Sequence, residues 1–536
     1  MPIRVSNIRL GIDESEQSLA HHAARALGVH VDDIRRWRIL RKSLDARNKA
    51  DLRFVYAAEI VVAEDEDRLV AQAARHARGT TVELYRELPF EVPPSGTGAL
   101  PERPLIVGSG PAGLVAAYFL ATAGYRPLVI ERGRAVAARV RDVQAFDAGG
   151  PLNPESNYLF GEGGAGTFSD GKLTARASGP DVQRILQLFA DCKGKPSILY
   201  EYRPHLGSNR LPAVVKALRQ RILAAGGEIR FDCRLEDLDL EGGLVRGVMT
   251  SSGHIPCSVL VLAIGHSARD TYEMLHARGV PMVQKPFQIG VRIEQPQDQV
   301  NRAQYGAARL EDRLGAADYS LVARGAVNLF SFCMCAGGEV IPSVSQPGYF
   351  CTNGMSLSRR SSSFANSGMM VTLEPRDFGS AHVLAGIALQ KTFERRAFEL
   401  GRGEYACPIQ WAGDFLAGRS SHGSIPSSYP RQLVSADIAS LLPTAALTAL
   451  REGLPALDQR WRGRFLANAT LVGPEARGSS PVRFPRDEHS IESVGVAGLY
   501  PVGEGAGYAG GIVSAALDGL RAAKAIIARY APLEKR

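Results

Sequence analysis

Short stretches in which nearly every residue is apolar mark the first part of the fold. Leu105–Val107, Pro127–Ile130 and Val259–Gly265 have this composition, which predicts strands buried on both faces, as in a parallel sheet. A helical run, Leu114–Ala123, lies between the first two strands. This strand–helix–strand order predicts a Rossmann-like α/β unit.

A different pattern precedes this unit. Ile3–Leu10 and Phe54–Val62 alternate like half-buried strands, whereas Glu16–Leu27 and Asp67–Ala77 have helical apolar spacing. A strand–helix–strand–helix–strand order predicts a small N-terminal α+β domain over residues 1–95. The Pro- and Gly-rich stretch Pro89–Pro104 is typical of a linker.

The chain then changes character and later returns to the first pattern. Strand-like segments at Phe287–Glu294 and Val327–Cys335 and a helical stretch at Ala381–Leu400 predict a mixed α+β domain over residues 286–480. From Gly498 a strand, a glycine loop and a helix follow again. We therefore predict an α/β fold in which residues 96–285 and 481–536 form one Rossmann-like domain and residues 286–480 are inserted into it.

Glycines follow the first predicted strand at the spacing of a dinucleotide site. Gly108 permits a tight turn, Gly110 admits a pyrophosphate, and Gly113 allows close packing of helix and strand. The helix N-terminus offers free N–H groups to phosphate oxygens. Glu131, after the second strand, is placed to accept a hydrogen bond from a ribose hydroxyl.

Two further glycine segments favour FAD over NAD. A loop with many glycines follows at Gly161–Phe168, and Val502–Gly505 precedes a helix that begins near Gly511. Two distant segments that meet on one extended ligand suit FAD, and a helix N-terminus stabilises negative charge on the reduced flavin. The predicted FAD-binding residues are Gly108, Gly110, Pro111, Ala112, Gly113, Glu131, Arg132, Gly163, Gly164, Gly166, Thr167, Ala263, Gly265, Gly503, Glu504, Gly511 and Ile512.

The composition and charge of the chain suggest where the protein is located and what a second function could be. The 536 residues include seven scattered cysteines with no CxxC pair, and no apolar run is long enough to span a bilayer. We expect a cytoplasmic protein with reduced thiols and no metal site. The formal charge is +8, and the most basic run is Arg35–Lys49. This run is either a solvated face around a sheet edge or a contact for RNA, phosphate or a partner protein.

The order of the motifs points to a family. GSGPAG, GEGGAGTFSDGKL, VLAIGHSARDTYEML, FQIGVRIEQP, FCMCAGGEVIPSVS, TNGMSLSRR and YPVGEGAGYAGGIVSAALDGL follow one another along the chain. The chain closely resembles a bacterial family of largely uncharacterised FAD-dependent dehydrogenases in the glutathione-reductase-like superfamily. The resemblance implies bound FAD and an oxidoreductase. Two positions depart from the usual pattern, Glu504 where Asp is common and Ala336 where Pro often stands.

Five residues are candidates for catalysis, each with a structural alternative. Cys333 and Cys335 are either thiols that face the flavin, on one side of a strand, or small core residues. A disulfide between them would be strained, unlike the CxxC pairs of redox relays. His266 and Arg269 could donate a proton or bind a substrate carboxylate, or could simply cap a helix and carry solvated charge. Arg477 could neutralise an anionic substrate or flavin N1, or lie on the surface.

These features predict an FAD-dependent oxidoreductase that transfers a hydride between flavin N5 and an unidentified small organic substrate. No second GxGxxG follows Gly113 between a strand and a helix, so any transient NAD(P)H would bind without its own Rossmann domain. The alternatives are a flavin-dependent RNA-modifying or RNA-binding protein that uses the basic N-terminal domain, and a flavin-bound scaffold without turnover. The sequence leaves the oligomeric state open.

Overall fold

A computed structural model describes residues 1–63, 65–76, 79–174, 177–307 and 310–533. The N-terminal region forms a four-stranded antiparallel sheet in the order β2-β3-β1-β4, with two helices packed against it. Its elements are β1 Ile3–Gly11, α1 Leu19–Leu27, β2 Ile34–Asp45, β3 Arg53–Val62, α2 Glu66–His76 and β4 Thr81–Leu84.

The basic run corrects the predicted element order, because most of it forms an additional strand. Strand β2 lies at the edge of the sheet and pairs with β3. Its cations are held by acidic groups of the same region, as in the contacts of Arg38 with Glu59 and of Lys42 with Glu16. The predicted helix end at Ala77 lies outside the described residues.

A five-stranded parallel sheet in the order β23-β11-β5-β6-β7 follows, and chain segments far apart in sequence build it. The stretch Ile255–Ile264 contributes to two strands, Gly253–Pro256 and Leu260–Leu262, which belong to different sheets. The elements before the insertion are β5 Leu105–Val107, α3 Pro111–Thr122, β6 Leu128–Ile130, α4 Val136–Asp147, α5 Pro180–Asp191, α6 Leu211–Ala224, β7 Glu228–Arg230, β8 Leu235–Glu241, β9 Leu244–Thr250, β10 Gly253–Pro256, β11 Leu260–Leu262, α7 Arg269–Ala277 and β12 Val283–Gln284.

The inserted segment is built on a seven-stranded sheet in the order β14-β15-β18-β13-β21-β19-β20, with its own hydrophobic core. Its elements are β13 Phe287–Pro296, α8 Gln297–Tyr305, α9 Glu311–Leu314, β14 Val322–Ala323, β15 Leu329–Cys335, β16 Gly338–Pro342, β17 Thr352–Ser356, β18 Phe364–Leu373, α10 Ala385–Leu400, β19 Cys407–Trp411, α11 Ala412–Ala417, β20 Leu433–Ser435, α12 Thr444–Arg460 and β21 Thr470–Glu475.

The chain enters and leaves this segment at one place. Strand β12 pairs with β22 Val482–Arg483 in a two-stranded antiparallel ladder. After it, β23 Leu499–Pro501 returns to the parallel sheet and α13 Ile512–Arg529 packs on α3. The contact between these helices is close, since a Cβ at Gly519 would lie 2.0 Å from the carbonyl oxygen of Ala112. Among the described residues, no helix combines the length and apolar character needed to cross a bilayer.

Candidate FAD and substrate site

A cavity of about 390 Å³ follows the carboxyl edge of the parallel sheet. Residues from the ends of all five strands or the loops after them line it, from Arg234 beyond β7 to Glu504 beyond β23. At about 4.8 Å between neighbouring strands, this edge is about 19 Å wide. The cavity therefore suits a long ligand that lies across the strand ends.

Glycines keep the space along this edge open. Gly110, Gly265 and Gly510 line the cavity, and a Cβ added at any of them would meet no atom within 4 Å. Gly113 does not line the cavity but brings α3 against the turn, because its Cβ would lie 1.9 Å from the carbonyl oxygen of Gly108. The N-terminus of α3 thus opens onto the cavity through Gly110 and Pro111, as a pyrophosphate requires.

Glu131 lines the cavity, but its carboxylate already has four protein donors. One oxygen accepts from the backbone N–H and the hydroxyl of Ser109 at 2.9 and 2.8 Å. The other accepts from the N–H groups of Gly133 at 2.9 Å and Gly161 at 3.0 Å. Glu131 therefore joins the first glycine turn to the second glycine segment, and a ribose hydroxyl would have to share these acceptor positions.

Arg139, which the sequence analysis missed, fixes the second glycine segment. It is fully buried and donates to the carbonyl oxygens of Asn157, Gly161, Glu162 and Gly164 at 2.8–3.1 Å. Burial lowers the pKa of its guanidinium to about 9. The available signal was a charged residue on the apolar face of α4, spaced three and four positions from buried valines.

Asp518 is a second missed residue, and it fixes the C-terminal glycine turn. It lies in α13, is almost fully buried, and accepts from the N–H of Gly503 at 2.7 Å. Arg486 binds the same carboxylate through two hydrogen bonds of 2.9 and 2.6 Å. An aspartate within the apolar stretch of the C-terminal helix was the signal for this role.

The structure brings most of the predicted residues to one cavity. The residues that do not line it have other contacts: the Gly163 N–H donates to the Ser109 carbonyl at 2.8 Å, and the Thr167 hydroxyl donates to the Glu162 carbonyl at 3.1 Å. The predicted residues in the lining are Gly108, Gly110, Pro111, Ala112, Glu131, Arg132, Gly164, Gly166, Ala263, Gly265, His266, Cys333, Arg477, Gly503, Glu504, Gly511 and Ile512. Gly113, Gly163, Thr167, Arg269 and Cys335 lie outside the lining.

A buried ion pair underlies the end of the cavity that the inserted sheet forms. Arg292 on β13 donates from Nε to Glu475 on β21 at 2.9 Å, and both side chains are almost fully buried. Glu475 also lines the cavity. Burial raises the pKa of Glu475 to about 7, although Arg292 favours its ionised form. Glu475, which the sequence analysis missed, is thus a group that can hold or release a proton near neutral pH.

The two candidate cysteines are placed differently by a bulge in β15. The strand pairs with β18 through Phe332 and again through Cys335, and between these points β15 carries one residue more than β18. Cys333 has a φ of 45° and lines the cavity, whereas Cys335 is buried. Regular alternation of the two side chains, as predicted, is therefore interrupted here.

His266 lines the cavity where β11 ends. Its Nε2 lies 3.0 Å from the main-chain oxygen of Arg477, which can only accept a hydrogen bond, so Nε2 carries the proton. Nδ1 then accepts from the Ser267 hydroxyl at 3.4 Å, so both ring nitrogens have protein partners.

Arg269 and Arg477 share one buried carboxylate, that of Glu394 on α10. Each guanidinium makes two hydrogen bonds of 2.7–2.9 Å with it. Arg477 also donates to Ser267 and Ser345 and reaches the cavity, whereas Arg269 lies outside the lining. The trio joins the loop after β11 to the inserted segment and leaves a net positive charge beside the cavity.

Comparison with known sequences gives the family. Residues 286–478 match a family described as FAD-dependent protein, C-terminal domain-like; residues 106–166 match an NAD(P)-binding Rossmann-like domain, and residues 2–61 match a domain of unknown function. An uncharacterized protein of Clostridium beijerinckii is 41% identical over 535 residues, which cover 99% of each chain. The chain belongs to the same family as this relative, and its residues 286–478 form a domain of the FAD-dependent type. The predicted cofactor, FAD, is confirmed at this level.

Other similarities of this FAD-dependent protein are more distant. A thiamine thiazole synthase of Aeropyrum pernix is 30% identical over 148 residues, 27% of this chain and 43% of that protein. Among solved structures, glycine oxidase from Bacillus cereus is 13% identical with a TM-score of 0.32, over 79% of this chain and 94% of that one. Quinol fumarate reductase of E. coli is 14% identical with a TM-score of 0.36, over 80% and 70% of the respective chains.

Proposed function

We propose that this FAD-dependent protein is an oxidoreductase of a small organic substrate that binds where the parallel sheet and the inserted sheet face each other. The observation that carries the proposal is the shared lining: Gly265 and Glu504 come from the ends of parallel strands, and Cys333 and Glu475 come from the inserted sheet. When bound, FAD would supply hydride transfer at its N5 atom. The glutathione-reductase-like assignment and the substrate are parts of this proposal.

The order of the strands suggests how the chain holds the cofactor. Arg132 and Arg234, beside β6 and β7, suit the nucleoside end; Arg132 is fixed by ion pairs to Glu155 and Asp270. The N-terminus of α3 offers N–H groups to the pyrophosphate in the middle of the cofactor, and that of α13 offers them to negative charge at its flavin end. Glycines on both segments let the ligand lie against the backbone.

The end of the cavity that the inserted sheet lines would supply a group for proton transfer and a binding site for an anion. Glu475, with its raised pKa, would give or take the proton that accompanies hydride transfer, while Arg292 fixes its orientation. The positive charge shared by Arg269, Glu394 and Arg477 favours a substrate with a carboxylate or another anionic group. This charge is held in place because Ser267 and Ser345 orient the Arg477 guanidinium.

An anaerobic flavin spectrum of the holoprotein tests the proposal. NADH, NADPH, amino acids and 2-hydroxy acids are each added, and bleaching of the flavin band identifies a donor. We expect Glu475→Gln to slow this reduction about 10²- to 10⁴-fold while FAD remains bound. Glu294→Gln is the matched control, because Glu294 is an equally buried glutamate of the same sheet that does not line the cavity.

Three results would contradict the proposal or one part of it. A purified protein that fails to take up FAD would remove its basis. A flavin that bleaches at the same rate in the Glu475→Gln variant and in the unchanged protein would exclude Glu475 as the proton-transfer group. A flavin that no donor reduces would favour the scaffold alternative.

A further inference from the structure

Cys333 and Cys335 stand on the bulge of β15, at the inserted end of the cavity. Cys333 is half-buried and lines the cavity, and its φ of 45° is a backbone conformation that non-glycine residues rarely adopt. Bulges next to binding sites often redirect a side chain. The Cys335 thiol donates to the main-chain oxygen of Cys333 at 3.2 Å, so the second thiol lies against the backbone of the first.

Two cations from different parts of the fold hold this bulge. The Arg292 guanidinium donates to the Cys333 main-chain oxygen at 3.3 Å and lies 4.0 Å from the Cys335 sulfur. Lys172, from the loop after the second glycine segment, donates to the main-chain oxygen of Met334 and pairs with Asp170 at 3.2 Å. Positive charge next to a thiol favours the thiolate.

The electrostatics separate the two thiols. A hydrogen bond between the two side chains, distinct from the main-chain contact, and the charges of Lys172 and Arg292 lower the pKa of Cys333 to about 6 despite its burial. The same side-chain hydrogen bond and burial raise the pKa of Cys335 well above its ordinary value. An accessible thiolate beside a protonated resolving thiol is the arrangement of redox-active cysteine pairs.

We propose that Cys333 and Cys335 are a dithiol–disulfide couple that exchanges an electron pair with the bound flavin. In the oxidative direction the Cys333 thiolate and the Cys335 thiol form one S–S bond, and the S–H bond of Cys335 breaks. The proton leaves through the cavity to solvent, and the electron pair reduces the oxidised flavin. The structure holds the dithiol form, with both thiols free. The proposal requires bound FAD but not the organic substrate proposed above.

The couple is tested first in protein freed of FAD. The full chain is equilibrated with oxidised and reduced dithiothreitol at varied ratios, alkylated and analysed by mass spectrometry. As the ratio of oxidised to reduced dithiothreitol rises, we expect both thiols in the peptide around Cys333 to become protected from alkylation together. Cys335→Ala should abolish this loss of labelling, whereas Cys192→Ala, at a buried site outside the cavity, should leave it unchanged.

The second measurement is an anaerobic dithionite titration of the preoxidised holoprotein. We expect an additional electron pair to be consumed before the flavin is fully reduced, and we expect Cys335→Ala to remove that extra uptake. The proposal is overturned if both cysteines stay fully alkylatable in oxidised dithiothreitol, or if the electron uptake equals that of the flavin alone. Neither result depends on Glu475, so failure here is distinguishable from failure of the proposed reaction.

Discussion

The carboxylate of Asp518 accepts a hydrogen bond from the backbone N–H of Gly503, 2.7 Å away. This contact joins α13 to the turn after β23, and Arg486 completes it from a third segment. The turn after β23 and the start of α13, which both line the cavity, are therefore held in place by one buried acid.

Asp518→Ala should destabilise the protein and weaken FAD binding. It leaves Arg486 buried without a counter-charge, and breaking a buried pair costs about 3–5 kcal/mol. Chemical denaturation and FAD titration measure the two effects. Asp298→Ala removes an exposed ion pair with Arg302 and should cost less than about 1 kcal/mol, with FAD affinity unchanged. Equal losses in the two variants would contradict the role of Asp518.

Gly110→Val should block the cofactor without unfolding the chain. The added side chain would enter the cavity, where no protein atom lies within 4 Å of the Cβ position. We expect FAD affinity to fall at least tenfold, about 1.4 kcal/mol, while the thermal unfolding temperature of the apoprotein changes little. Gly413→Val, at an open position in α11 outside the cavity, should bind FAD normally. Full flavin content in Gly110→Val would refute this placement of the ligand.

The Glu394 trio should make stability depend on acid pH. Burial opposes ionisation of Glu394, but Arg269 and Arg477 overcome it and lower its pKa from 4.5 to about 2. Since the folded-state pKa is depressed, this stabilisation is complete above about pH 4.5 and is lost as the pH falls through 2. Unfolding free energies of the unchanged protein and Glu394→Gln should differ by a constant amount at neutral pH. The difference should shrink in acid, and a difference that grows in acid would contradict the assignment.

Cys333 should react as a thiolate below neutral pH. With a pKa of about 6, its alkylation by iodoacetamide should reach half of its maximal rate near that pH. Cys335→Ala removes the hydrogen bond that favours the thiolate, so the midpoint should move upward. Peptide mass spectrometry as a function of time and pH measures both rates. An unchanged midpoint in the variant would show that the cations alone set the pKa of Cys333.

RNA binding by the edge strand should be weak. The side chains of Arg38 and Lys42 are already paired with carboxylates, so a phosphate backbone would have to displace these partners. We expect no tRNA shift in an electrophoretic assay at physiological salt. A strong, salt-dependent shift would instead support RNA binding by this domain.

Local patterns predicted the parts of the fold that depend on neighbouring residues. The strand Leu105–Val107 and the helix start after Gly511 were confirmed because buried strands and glycine caps leave a direct mark on a short stretch of sequence. The edge strand β2 was missed because five of its twelve residues are arginine or lysine, and only its pairing with β3 identifies it.

Sequence pattern predicted the parts of the candidate site that are formed by glycine turns. It did not predict the side chains whose partners are distant in sequence. The spacing of the glycines predicted one edge of the cavity. No residue near Glu475 in the sequence indicates its partner Arg292, which lies 183 positions away. Likewise, Arg269 and Arg477 were predicted as candidates for separate roles, and only folding brings both onto Glu394. Sequence pattern alone also gives no signal for the bulge at Cys333, because an inserted residue preserves the strand's composition.

Because β12 pairs with β22, the inserted segment could be replaced by another segment without moving the chain ends to which it is joined. Val283 faces Arg483 across this neck, so everything between the two strands begins and ends at one point of the molecule. The segment also contributes Cys333 and Glu475 to the cavity and binds Arg269 through Glu394. A chimaera that swaps the segment at this neck should therefore keep the order of the parallel strands, and its affinity for FAD would measure what the inserted sheet adds to cofactor binding.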